Sequence, residues 1–138
     1  MRIAALIAVL AAVGCGADAS APAAVSSAAT ELKITYWSQG RTVGPGKKWT
    51  LRCGPAGGTL ARAVSACRKL GAMRNPFVPI PRDAVCTEQY GGPQVALITG
   101  TFRGRALWTQ LANRNGCEIS RFKRLSFLVP GFGTGAEA

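Results

Sequence analysis

The sequence predicts an α+β protein: an antiparallel sheet of about four to five strands with one or two helices packed on one face. Three observations support this class. Several short segments alternate apolar and polar residues, as half-buried strands do. One segment carries apolar residues at helical spacing. Four of the five cysteines lie after residue 50, which is typical of a small exported domain held by two disulfides.

The first two predicted strands are residues 32–37, "LKITYW", and residues 47–53, "KKWTLRC". Their inward-facing residues are predicted to be Leu32, Ile34 and Tyr36 in the first strand, and Trp49, Leu51 and Cys53 in the second. Residues 94–102 and 105–113 are two further β-rich runs. Because only "RG" (103–104) separates them, we expect a tight hairpin.

One helix is predicted at residues 59–71, "TLARAVSACRKLG". Thr59 can cap its N-terminus and Gly71 suits its C-terminal position. The expected apolar stripe consists of Leu60, Val64, Cys67 and Leu70.

The last segment, residues 115–131, allows two interpretations. Ile119, Phe122 and Leu125 have helical spacing, which favours a second helix. Residues 125–129, "LSFLV", can instead form a short buried strand before Pro130.

The N-terminus is predicted to be an export signal. Arg2 precedes an apolar run, Ile3 to Val13, that is too short for a membrane-spanning helix but suits a signal peptide at residues 1–14. The residues "AAVGC" resemble a bacterial lipobox, which predicts a lipid anchor on Cys15. Ordinary secretory cleavage at "ADA" (17–19) is the alternative, and both predict export.

We expect residues 15–30, rich in Ala, Ser and Pro, to be a disordered linker. The folded domain is then predicted at residues 31–131, followed by a tail at 132–138.

The residue inventory argues against an enzyme. The chain has no histidine, so Ser-His and Cys-His nucleophile pairs are excluded. It has no CxxC pair and no carboxylate cluster near a cysteine, so we predict no metal site and no cofactor.

With Cys15 set aside, two disulfides are expected, and the spacing alone leaves three connectivities open among Cys53, Cys67, Cys86 and Cys117.

The net charge is +11, and loss of Arg2 with the signal leaves +10. Such a charge favours anionic partners. The basic residues are scattered, however, and export makes nucleic acid an improbable partner, so we predict none. We interpret the charge as a solvated surface that can steer association.

Residues 86–94, "CTEQYGGPQ", form the candidate binding loop. The preceding segment, 72–85, holds three prolines and stiffens the approach to Cys86. An extended segment fixed in this way loses little entropy when a partner binds it as a β-strand. Two consecutive glycines, Gly91 and Gly92, predict a flexible exit from the loop. A merely tethered turn is the alternative interpretation.

From Thr50 to about Pro130 the chain carries five motifs in order: "LRCGPAGGT" (51–59), "SACRKLGA" (65–72), "CTEQYGGP" (86–93), "GTFRGRAL" (100–107) and "NGCEI" (115–119). With these motifs the chain resembles the Streptomyces subtilisin inhibitor family. The resemblance implies a secreted homodimer that inhibits subtilisin-like serine proteases. It also implies the disulfides Cys53–Cys67 and Cys86–Cys117.

By position in the family motif, the reactive bond lies between Glu88 and Gln89. Glu88 would enter the protease's primary pocket. The flanking contacts would come from Val85, Cys86, Thr87 and Tyr90. A glutamate at this position extends the expected targets from subtilisin-like to glutamate-preferring proteases. The alternative function is a non-inhibitory, basic cell-surface binding domain on the same scaffold.

Overall fold

The computed structural model describes residues 29–133. Its elements are β1 (Thr30–Trp37), β2 (Lys47–Cys53), α1 (Ala63–Ala72), β3 (Val95–Phe102), β4 (Arg105–Leu111), α2 (Gly116–Leu125) and a 3₁₀ turn (Ser126–Leu128). The four strands form one antiparallel sheet in the order β2-β1-β3-β4. The predicted fold class is confirmed.

The core lies between one face of this sheet and the two helices. The inward residues of β1 and β2 are those that the alternation predicted, and Leu32, Ile34 and Leu51 are fully buried. Phe122 of α2 is also fully buried and meets the ring of Tyr36 edge-on, with ring centroids 6.5 Å apart. Burial of such side chains contributes about 1.5–3 kcal/mol each.

The β3–β4 hairpin turns at Arg103 and Gly104, as predicted. Both residues have positive φ, and Phe102 pairs with Arg105 across the turn. The other end of this pair is Ala96 opposite Leu111. The chain that enters β3 and the chain that leaves β4 therefore lie side by side at one end of the sheet.

The first helix begins later than predicted, at Ala63 rather than Thr59. Thr59 does not cap it, because its hydroxyl accepts a hydrogen bond from the Thr50 amide (2.9 Å) and its own amide donates to the Thr50 hydroxyl (3.1 Å). Val64 is 70% exposed and so lies outside the apolar stripe. The helix continues through Gly71 to Ala72.

The final segment is a helix rather than a strand. Asn115 caps α2 by accepting a hydrogen bond from the Glu118 amide at 3.0 Å. Residues 126–128 form the 3₁₀ turn. Beyond it, Phe132 stacks on Phe122 with ring centroids 3.9 Å apart, so packed structure continues to this residue.

Two disulfides join Cys53 to Cys67 and Cys86 to Cys117, which is the pairing that the resemblance implied. The predicted signal peptide and Cys15 lie outside the described residues, as does the linker up to residue 28. Within residues 29–133, no helix is long and apolar enough to span a membrane. The same residues contain no group of His, Cys, Asp or Glu suited to hold a metal ion.

Candidate functional site

The proline-rich approach to the loop has no regular structure, and arginines of α2 bind its backbone. Arg121 donates to the carbonyls of Val78 (3.0 Å) and Phe77 (3.3 Å), and Arg124 donates to that of Pro76 (3.4 Å). Arg121 is half-buried. This burial is the main cause that lowers the pKa of its guanidinium, and the nearby charge of Arg124 is a smaller one. The approach is thus fixed to the helix that follows β4.

The loop entrance is held at two adjacent residues. The Cys86–Cys117 disulfide brings the two Cα atoms to 5.4 Å. Next to it, the Thr87 carbonyl accepts a hydrogen bond from the Gly116 amide at 3.0 Å. A Cβ on Gly116 would collide with the Thr87 hydroxyl, so glycine at the start of α2 permits this close approach.

The loop exit is held by the segment that leaves β4. The Gly91 amide donates to the Asn113 carbonyl at 2.7 Å. A Cβ on Gly91 would lie 2.8 Å from Ile119 Cδ1 and 3.1 Å from Asn113 Cβ. Gly91 is therefore packed against residues 113–119, which we call the support. It allows the loop to approach the support closely, whereas the Gly91-Gly92 pair predicted flexibility.

Asn113 is the central residue of this support. It is 3% exposed, and its side-chain amide donates to Gln94 Oε1 at 3.1 Å, just before β3. Its Oδ1 is buried and accepts no hydrogen bond from the described residues. Asn113 thus joins Gly91, at the exit of the loop, to Gln94, the residue just before β3.

Between the two anchors lie three exposed residues, Glu88, Gln89 and Tyr90. Tyr90 is 65% exposed, and Val85, before the disulfide, is fully exposed. Within residues 29–133, the side chains of Glu88 and Gln89 form no hydrogen bond or ion pair. Of the residues predicted to contact a protease, all but the disulfide-bonded Cys86 are exposed.

One cation near the loop, Arg114, is bound by a carboxylate of α2. Arg114 donates from Nη2 and Nε to the carboxylate of Glu118, at 2.8 and 3.0 Å. This hydrogen bonding and the charge of Glu118 raise the pKa of Arg114. The structure therefore pairs Arg114 with Glu118 and not with Glu88.

Sequence reasoning proposed the loop as the candidate site but did not identify the residues that anchor it. Asn113, Gly116 and Ile119 contact the loop from residues that follow β4, 22 or more positions away from the loop residues they meet. The motif "NGC", which ends at Cys117, gave a partial signal, because glycine beside a disulfide marks a place where two backbones approach closely.

A search of the curated proteins finds no match. Among solved structures, the chain is similar to Streptomyces caespitosus sermetstatin, in its crystal structure in complex with Bacillus licheniformis subtilisin. The likeness has a TM-score of 0.44 and 23% identity, and covers 75% of this chain and 97% of that one.

A family profile described as subtilisin inhibitor-like matches residues 27–115. The matched region includes the whole candidate loop and the Asn113 anchor. The chain therefore belongs to the subtilisin inhibitor-like family and is a protease inhibitor of the subtilisin-inhibitor type.

Proposed function

We propose that this chain inhibits a serine protease by presenting residues Val85–Tyr90 as a substrate, with Glu88–Gln89 at the bond to be cleaved. The observation that carries the proposal is the short exposed backbone, residues 88–90, anchored on both sides to one support. A segment fixed in this way needs little ordering when a protease binds it as an added strand.

The same anchors explain how binding becomes inhibition rather than digestion. The protease serine attacks the Glu88 carbonyl carbon, and the Gln89 amine is the leaving group. Because the Cys86–Cys117 disulfide holds one side and the Gly91–Asn113 hydrogen bond holds the other, the amine stays beside the acyl group. Re-formation of the peptide bond then competes with water.

Titration of the refolded protein against a panel of serine proteases tests the proposal. We expect stoichiometric inhibition of at least one enzyme and, after long incubation, a new N-terminus at Gln89. Rapid, complete cleavage after Glu88 with no inhibition across the panel would refute it.

We further propose that the protein acts outside the cell, anchored through a lipid on Cys15, and that it forms a homodimer. The signal-like N-terminus supports export, and the resemblance supports the dimer. Mass spectrometry of the mature N-terminus tests the anchor: a diacylglyceryl Cys15 supports it, and a start near Ser20 contradicts it. Sedimentation tests the dimer, which a monomer at about 100 µM would contradict.

A second candidate function, a basic cell-surface binding domain, is favoured by the outer face of the sheet. Lys33, Lys48 and Arg52 are exposed there. Lys33 pairs with Thr99 on β3, and Thr99 pairs with Trp108 on β4, so Trp108 lies on the same face of the sheet as Lys33. This candidate predicts salt-sensitive binding to an anionic wall polymer such as lipoteichoic acid. Lys33→Gln with Lys48→Gln should weaken that binding, and absence of binding at low salt would exclude it.

A further inference from the structure

We infer that the inhibitor loop is built for a serine protease with a cationic primary pocket, and that Glu118 is a positioning residue that keeps Arg114 from neutralising Glu88. This inference rests on the proposed function and specifies its partner.

Among the described residues, the Glu88 carboxylate has no cationic partner. It is exposed and, within residues 29–133, forms no ion pair or hydrogen bond. A carboxylate transferred from water into an apolar pocket loses its hydration without compensation, which is costly. A protease that accepts Glu88 must therefore provide a positive charge and hydrogen-bond donors.

Helix α2 contains three further cations, and within residues 29–133 none of them pairs with this carboxylate. Arg121 and Arg124 donate to carbonyls of the approach segment. Lys123 is exposed in the last turn of α2, while the loop meets the first turn, about 10 Å away at 1.5 Å per residue.

Arg114 is a cation beside the first anchor of the loop. It lies two residues before Gly116, whose amide binds the Thr87 carbonyl. Its side chain is 68% exposed, so packing does not hold it in place. What holds it is the Glu118 carboxylate, which accepts from Nε, from Nη2 and also from the Arg114 backbone amide at 3.1 Å.

Two of these three contacts occupy the guanidinium fork that would otherwise be available to another carboxylate. Glu118 also belongs to the helix start, because its amide is capped by Asn115. A rigid element therefore fixes the ion pair and leaves the charge of Glu88 to the partner.

The first experiment measures inhibition constants against a glutamate-selective serine protease and a subtilisin with an apolar primary pocket. We expect the wild-type chain to prefer the glutamate-selective enzyme by at least about 100-fold. Glu88→Gln, which keeps the shape but loses the charge, should weaken that inhibition by about 30-fold or more. Glu88→Met should reverse the preference.

The outcomes separate this inference from the proposed function. Equal inhibition of both enzymes by the wild type would overturn the inference alone. Failure of both the wild type and Glu88→Met on both enzymes would overturn the proposed function.

The second experiment tests Glu118. Glu118→Gln keeps the shape of the side chain but replaces one acceptor oxygen by an amide donor and removes the charge that holds Arg114. We expect about two- to five-fold weaker inhibition of the glutamate-selective enzyme, the range for an exposed ion pair. Adding Arg114→Gln should restore it. In a Glu88→Met background, Glu118→Gln should leave inhibition of the subtilisin unchanged. Equal weakening of inhibition in the wild-type and Glu88→Met backgrounds would mean that Glu118 is only structural and would overturn its role as a positioning residue.

Discussion

At the scale of single residues, the loop depends on the absence of a side chain at Gly91. This glycine does not have positive φ, so its backbone conformation is open to any residue. Its constraint is purely one of space, because a Cβ would lie within about 3 Å of Ile119 and Asn113. Gly71, on the exposed side of α1, meets nothing within 4 Å and serves as a matched control.

We expect Gly91→Ala to weaken protease inhibition at least about ten-fold, because the new methyl group pushes the loop exit off its support and strains the hydrogen bond to Asn113. The expected stability cost is about 1–3 kcal/mol, as for other overpacked sites. Gly71→Ala should instead stabilise the chain by about 0.5–1 kcal/mol without changing inhibition. Inhibition constants and urea denaturation measure both, and wild-type inhibition by folded Gly91→Ala would contradict the assigned role.

At the scale of elements, the two disulfides differ in what they join. Cys53–Cys67 connects β2 to α1 inside the packed domain, and Cys86–Cys117 connects the loop to α2. Sequence separations of 14 and 31 residues correspond to about 3 and about 4 kcal/mol of stabilisation by restriction of the unfolded chain.

Replacing each cysteine pair by serines should therefore separate stability from inhibition. Loss of Cys53–Cys67 should lower the free energy of unfolding while the folded fraction still inhibits. Loss of Cys86–Cys117 should also convert the inhibitor into a substrate that is cleaved after Glu88. Denaturation curves and time courses of cleavage distinguish the two. Equal persistence of inhibition in both variants would mean that the loop does not need its tether.

The elements also show what could be predicted from the sequence. The bounds of β2, 47–53, and the turn at Arg103–Gly104 were predicted correctly, because alternation and a two-residue turn are local signals. The start of α1 was not, since Thr59 forms its hydrogen bonds with Thr50 on β2, a tertiary contact that no local pattern reveals. The loop's position was predicted from its motif, whereas its anchors at Asn113 and Gly116 depend on strand pairing that brings distant segments together.

At the scale of the whole molecule, charge is poorly balanced. Residues 29–133 hold 16 Lys and Arg against four Asp and Glu, a net charge of +12. Among these residues the only salt bridge is Arg114–Glu118. Repulsion between the unpaired cations opposes the compact state and is screened by salt.

We therefore expect the melting temperature to rise with sodium chloride between about 0.02 and 0.3 M. A gain of about 1 kcal/mol would raise it by several degrees in a domain of this size. Lys47→Gln with Lys48→Gln, which removes two adjacent exposed cations from β2, should flatten this response. Calorimetry at a series of salt concentrations measures it, and a melting temperature that falls with salt would show that attraction dominates.

The isolation of the Glu88 and Gln89 side chains has a consequence for how such a protein evolves. These side chains are exposed and form no hydrogen bond or ion pair within residues 29–133, so most exchanges at these two positions should leave folding stability within about 0.5 kcal/mol of its starting value. On the proposed function, selection can then change the target by single codon substitutions without first accumulating compensating mutations in the core. Adaptation to a new protease then requires only new side chains at positions 88 and 89, with the rest of the domain unchanged.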